Sequence, residues 1–158
     1  MSSFLGNELT AELFERLSGR DVGAKAGKAI LLVTVDDNNW PHPAMLSYHE
    51  VVAKSRGRID LAVGKTSTTA RNLRVMGKIT FILTDAGMNY YIKGLALEIH
   101  PSMEQVPFMS LFRVNVDQLL EDQEPGAAIT SGITFYRPAN SEAEGVAEKI
   151  FHAVLKQA

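Results

Sequence analysis

Between Ala62 and Arg74 the chain reads AVGKTSTTARNLR, so four consecutive hydroxyl side chains, Thr66, Ser67, Thr68 and Thr69, follow Gly64 and Lys65. Such a run suits an anion. If Ser67 to Arg74 is helical, the turn before it offers free backbone N–H groups and the positive end of the helix dipole. The hydroxyls add donors, while Lys65 and Arg71 add charge. Gly64-Lys65-Thr66 also matches the end of the P-loop pattern, but that pattern requires a glycine five positions earlier, where this chain has Ile59. A nucleoside triphosphate loop is excluded. The competing account of the same residues is plainer: Ser67 or Thr66 caps a helix, and Thr68 and Thr69 face water.

No other stretch offers a reaction. The chain has no cysteine, which removes disulfides, thiolate catalysis and iron–sulfur ligation. His42, His49, His100 and His152 show no ligand spacing such as HxxxH, so no metal site is expected. His42 and Asp85 are isolated candidates for acid–base work, and no catalytic residue is assigned. Trp40, Tyr90 and Tyr91 have rings able to stack on a planar ligand, but strand aromatics usually fill or rim a sheet.

The elements that must position the hydroxyl run follow from periodicity. Leu9, Leu13, Phe14 and Leu17 predict a short first helix, with Asn7 or Thr10 as cap and an end near Gly19. Strands are expected at 29–35, 43–51, 59–63, 79–84, 88–99 and 112–116, with a seventh near 133–136. Asp36-Asp37-Asn38-Asn39 turns the first strand into the second. Gly94 marks a bulge or a close backbone approach in the fifth. A short helix at about 67–76 lies between the third and fourth. Ser141 and Glu144 form a capping box for a final helix with an apolar stripe of Ala143, Val146, Ala147, Ile150, Phe151, Val154 and Leu155. Short strands with one brief crossover helix and no GxGxxG point to a mainly β, closed or nearly closed antiparallel barrel of six or seven strands, Greek-key in type, with flanking helices. They disfavour a Rossmann fold.

Composition bounds the rest. With 158 residues and 46% apolar content the chain is expected to form one domain with one core. A formal charge of -2 and a pI near 6.1 argue against nucleic acid as a partner. MSSFLGNELT does not read as a signal peptide and no apolar run reaches membrane-span length, so a soluble cytoplasmic protein with no membrane partner is expected.

The order AILLVTVDDNNWPHPAMLSYHEV, RIDLAVGKTSTTARNLRVMGKITFILTD, NYYIKGLALEI, within residues 29–99, resembles the FMN-binding split barrel of the pyridoxamine 5'-phosphate oxidase-like superfamily. It is most similar to the general flavin-nucleotide-binding and small FMN-binding proteins, where Pro-His follows the first turn, as Pro41-His42 does here. The helix pattern Ser-x-Lys-Ala-x-Asn-Leu is matched by Ser67-Thr68-Thr69-Ala70-Arg71-Asn72-Leu73, with Thr69 in place of the basic residue. The resemblance implies that FMN phosphate sits against Lys65, Ser67, Thr68, Thr69 and Asn72, with Arg71 as counter-ion. It places the isoalloxazine along Met45, Leu46 and Ser47 and along Ala62, Val63 and Gly64. It further implies a homodimer with flavin at the subunit junction, to which the final helix or Tyr136 contributes.

The function so implied is an FMN flavoprotein, either an oxidoreductase or an electron carrier. ITFYRPANSEAEGVAEKIFHAVLKQA lacks the arginine-bearing segment of pyridoxamine phosphate oxidases proper, and their activity is not carried over. The alternatives are a cofactor-free or cofactor-exchanged barrel, of deazaflavin or haem type, acting as a binding or redox-sensing module, and an interaction protein that displays its terminal helix.

Overall fold

The computed structural model describes residues 1–158. Its strands are β1 (Ser2–Gly6), β2 (Ala29–Val35), β3 (Pro41–Ser47), β4 (Val51–Ser55), β5 (Arg58–Gly64), β6 (Lys78–Asp85), β7 (Met88–His100) and β8 (Met109–Asp122). Three helices accompany them: α1 (Ala11–Leu17), α2 (Thr68–Met76) and α3 (Glu142–Leu155). All pairings are antiparallel, in the order β3-β2-β6-β7-β8-β5-β4, and β1 pairs with the far end of β8. No helix is long and apolar enough to cross a membrane.

The sheet curls around one core because alternate residues of each strand are apolar. Ile30 and Leu32 of β2, Ile79, Phe81 and Leu83 of β6, Ile59, Leu61 and Val63 of β5, and Phe112 and Val114 of β8 meet inside. Leu13 and Leu17 of α1 and Ala70 and Leu73 of α2 join the same cluster. A second cluster lies outside the sheet, where Ile150, Phe151 and Val154 of α3 cover Val52, Ala62 and Leu111. β5 is therefore buried on both faces. Most of the α3 stripe, Ala147, Ile150, Phe151 and Val154, is covered by the chain's own sheet while Ala143 and Leu155 stay exposed, which counts against the reading of a barrel that displays its terminal helix.

The expected barrel of six or seven strands is an eight-stranded sheet that does not close, since β3 and β4 end the order unpaired with each other. The expected strand at 43–51 is interrupted: Ser47 to Val51 turns, and the chain returns as β4. The seventh strand near 133–136 is a single bridge, Lys28 to Thr134, flanked by hydrogen bonds from Ala29 N–H to the Ile133 carbonyl and from Phe135 N–H to the Gly27 carbonyl. Gly94 is confirmed as a bulge with a close approach. The register shifts there, and a Cβ would lie 2.5 Å from Val114 Cγ1 and 2.6 Å from the Asn115 carbonyl oxygen.

The caps are as the residue types require. Thr10 Oγ1 accepts from Leu13 N–H, and Ser67 Oγ accepts from Ala70 N–H, both at 3.1 Å. α2 ends on Gly77, whose φ of 68° is the left-handed conformation that glycine adopts without strain. At α3, Ser141 Oγ accepts from Glu144 N–H at 3.2 Å, but the Glu144 carboxylate reaches Asn140 N–H, one residue before the cap.

Candidate functional site at the open seam

The gap between β3 and the β5–α2 turn is framed at both ends. At one end Glu50 accepts the Ser47 N–H on its carboxylate at 2.7 Å and the Ala62 N–H on its carbonyl at 2.9 Å. At the other, Asp37 in the β2–β3 turn forms an ion pair with Arg71 of α2. β3 thus runs past the end of β5 and the start of α2, with one edge unpaired. Two distant segments named by the sequence, 45–47 and 62–72, become the two sides of one seam.

The helix start carries the donors. Ser67 spends its oxygen on the Ala70 amide, the plain cap the sequence left open. The amides of Thr66, Thr68 and Thr69 donate to nothing in the protein, and Lys65, Thr66 and Thr68 are exposed. Lys65 makes no ion pair. Its carbonyl accepts from Arg74 at 2.9 Å, and its amide donates to the Phe108 carbonyl at 3.0 Å, so the turn is braced from both sides. Arg74 is itself held by Glu98 and Ser110.

The remaining sequence candidates divide. Thr69 is 5% exposed and so does not face water as the plain reading supposed. Asn72 is 2% exposed, and its amide donates to Thr34 Oγ1 of β2 at 3.0 Å. Arg71 is exposed but already engaged by Asp37. Ala62 and Val63 turn their side chains into the outer and inner cores, which leaves only Gly64 and backbone atoms to reach the seam. Met45 is exposed, Leu46 packs on the inner core and Ser47 is buried. Trp40, 70% exposed, stands at the β2–β3 turn beside the Asp37 end of the seam. Tyr90 packs on the core, while Tyr91 donates its hydroxyl to Asp122, as strand residues.

Sequence reasoning missed Asp37, Glu50 and Arg74 as seam residues. Asp37 was legible only as a turn residue, and Glu50 lay inside an expected strand. Burial pushes the Glu50 carboxyl above its ordinary range, against the downward pull of the Ser47 amide and the Arg137 charge. Asp85 belongs elsewhere. It is clamped by Arg16 and Lys28, and Arg16 also donates to Tyr48. Burial opposes ionisation of Asp85, yet hydrogen bonds from Lys28, the Ala86 amide and Arg16 hold its carboxyl at about 2. This is an ion-pair clasp at the base of α1, and the free acid–base group that Asp85 offered in the sequence is absent.

No protein-family model matches the chain. The uncharacterized protein YclD of Bacillus subtilis is 32% identical over 127 residues, 80% of this chain and 82% of YclD. The chain belongs to the YclD family. Solved structures extend the relationship of this YclD-family chain to its fold. A Lactobacillus delbrueckii protein named for pyridoxamine 5'-phosphate oxidase matches with TM-score 0.59 at 13% identity, over 75% of this chain and 98% of its own. An FMN-binding protein from Syntrophomonas wolfei gives 0.52 at 16% identity, over 72% and 88%. HutZ of Vibrio cholerae, a haem storage protein, gives 0.52 at 15% identity, over 71% and 93%. The chain shares the split-barrel-like fold of these solved structures.

Proposed function

We propose that this protein binds FMN in the seam and serves as a flavin-dependent oxidoreductase or electron carrier. One observation carries the reading: three unpaired amides at the start of α2 lie beside exposed Lys65, Thr66 and Thr68, on a helix tied to the β2–β3 turn by the Arg71–Asp37 pair. That arrangement fits a terminal phosphate on the amides and hydroxyls, with Lys65 as the free charge. The strand edge at Met45–Ser47 offers backbone groups to the polar rim of a ring, and exposed Met45 offers apolar surface. Bound flavin would supply one- and two-electron chemistry, while the chain supplies position and electrostatics. Burial pushes the Glu50 carboxyl above its ordinary range, and one of its oxygens accepts the Ser47 N–H at that end of the seam.

A homodimer belongs to the same proposal. α3 no longer motivates it, but Met45 of β3 and Leu95 and Leu97 of β7 are more than half exposed on the sheet and offer apolar surface to a second copy. The second reading, a cofactor-exchanged barrel of deazaflavin or haem type, draws on the charge at the helix start. Thr69 is neutral and buried and Arg71 is engaged, so the phosphate site is less cationic than its pattern implies.

Absorption of the purified protein, with release and mass measurement of any ligand, distinguishes the two. FMN quenched on titration, with riboflavin binding more weakly, supports the first. A colourless protein that leaves flavin fluorescence unchanged refutes it. A released deazaflavin or haem establishes the second.

A further inference from the structure

His49, in the turn between β3 and β4, is 2% exposed, and its ring meets Phe151 of α3 edge-on at 5.8 Å. Nδ1 is sealed from solvent with no hydrogen-bond partner. Nε2 also lacks a protein partner but is not sealed. His49 lines a cavity of about 260 Å³ together with Phe135, Tyr136, Arg137, Glu144 and Glu148. Burial, and next the Arg137 charge, hold the ring below its ordinary pKa, against Glu148 and Glu144. The neutral ring must place its proton on one nitrogen. A buried lone pair costs less than a buried orphan N–H, so the proton belongs on Nε2, where it is available to the cavity.

Arg137 completes the donor side. Its guanidinium lies over the Phe135 ring at 5.1 Å and takes part in no ion pair or hydrogen bond. A planar fork beside an imidazole N–H suits a carboxylate. The α3 wall is acidic. Glu144 is occupied by the Asn140 amide, but Glu148 has only a 3.7 Å approach from His152. A phosphate dianion would face both glutamates, whereas a ligand bearing one negative and one positive end satisfies both walls.

We propose that the cavity between the β3–β4 turn, segment 135–137 and α3 binds a small zwitterion of the amino-acid type. Its carboxylate is held by Arg137 and His49 Nε2–H, and its ammonium by Glu148. The proposal is independent of flavin binding in the seam.

The test is NMR of the full-length chain with ¹⁵N-labelled histidine, titrated with L-alanine, acetate, methylammonium and inorganic phosphate. L-Alanine is expected to move the His49 ring resonances saturably at concentrations roughly tenfold below those that acetate or methylammonium require, the increment of one further charge-assisted hydrogen bond. Glu148→Gln is expected to abolish that preference over acetate, and Arg137→Gln to abolish the response to both, with the His42 and His100 resonances reporting an intact fold. No saturable shift with L-alanine overturns the proposal. So does a response to acetate or phosphate as strong as that to L-alanine, and the wild-type comparison decides this without any variant.

Discussion

Asp37→Asn isolates the electrostatics of the seam. In the folded protein Asp37 neutralises Arg71 one turn into α2, and the two side chains are 50% and 66% exposed. At that exposure the pair contributes only about 0.2–1 kcal/mol to folding, so the variant should remain folded with a small loss of stability. Its effect on a phosphate at the helix start has the opposite sign. The substitution removes a negative charge from the rim and releases a guanidinium. A hydrogen bond from a charged donor is worth about 1.5–3 kcal/mol when sheltered. Solvent screening at this surface brings the gain nearer to ~1 kcal/mol, or roughly fivefold in Kd. Calorimetric titration with FMN and riboflavin, at low and high salt, reads it directly. FMN should tighten, riboflavin should not, and the gain should shrink at high salt. If FMN affinity is unchanged, or riboflavin shifts by the same factor, the phosphate does not lie beside Arg71 and the seam assignment fails.

Ser67→Ala removes the cap from the Ala70 amide. It should lower stability by about 0.5–2 kcal/mol in urea unfolding and weaken FMN more than riboflavin. Asp85→Asn tests the clasp with Arg16 and Lys28. The folded carboxyl, at about 2, lies below its ordinary 3.8, so its contribution is complete above 3.8 and is lost as pH falls through about 2. Wild type should therefore exceed the variant by on the order of 2 kcal/mol at neutral pH, and urea unfolding at successively lower pH should show the gap narrowing below pH 3.8. Gly94→Ala drives a Cβ against Val114 and the Asn115 backbone. A loss of about 1–3 kcal/mol is expected, a Tm reduced by several degrees, and an unshifted Tm would contradict the packing at the bulge.

Most strands were legible because their burial is local in sequence. Ile30, Leu32 and Thr34 alternate with half-buried neighbours, and so do Ile79, Phe81 and Leu83, so period two speaks for itself. Ser67, Thr10 and Gly94 were legible because one residue type answers one backbone need. β1 was not, since SSFLG is mostly exposed and gains its partner only at Leu119–Asp122. The seam was half legible. Its hydroxyls and strand segments declared themselves by pattern, but the acid that engages Arg71 stands 34 residues away in a turn that looked like any other Asp-Asn turn. Asn72 offered a donor by type, yet its burial against Thr34 depends on how α2 seats on β2. His49 and Arg137 gave no signal at all, because a lone histidine and a lone arginine acquire meaning only when a turn and a helix enclose them.

The pairing of β1 with β8 has a temporal meaning. Ser2 to Gly6 leaves the ribosome more than a hundred residues before its partner exists, carrying Phe4 and Leu5 with nothing to bind. Closing so long a loop gains little until β5, β7 and β8 have already assembled, so β1 docks late and opens early. Amide exchange should be fastest there and slowest in β5, which two cores shield. During each opening the free edge of β8 at 119–122 is a strand-shaped vacancy, and another molecule's first strand can enter it as readily as its own. Concentrated samples held under mildly destabilising conditions should accordingly accumulate swapped pairs joined through this strand.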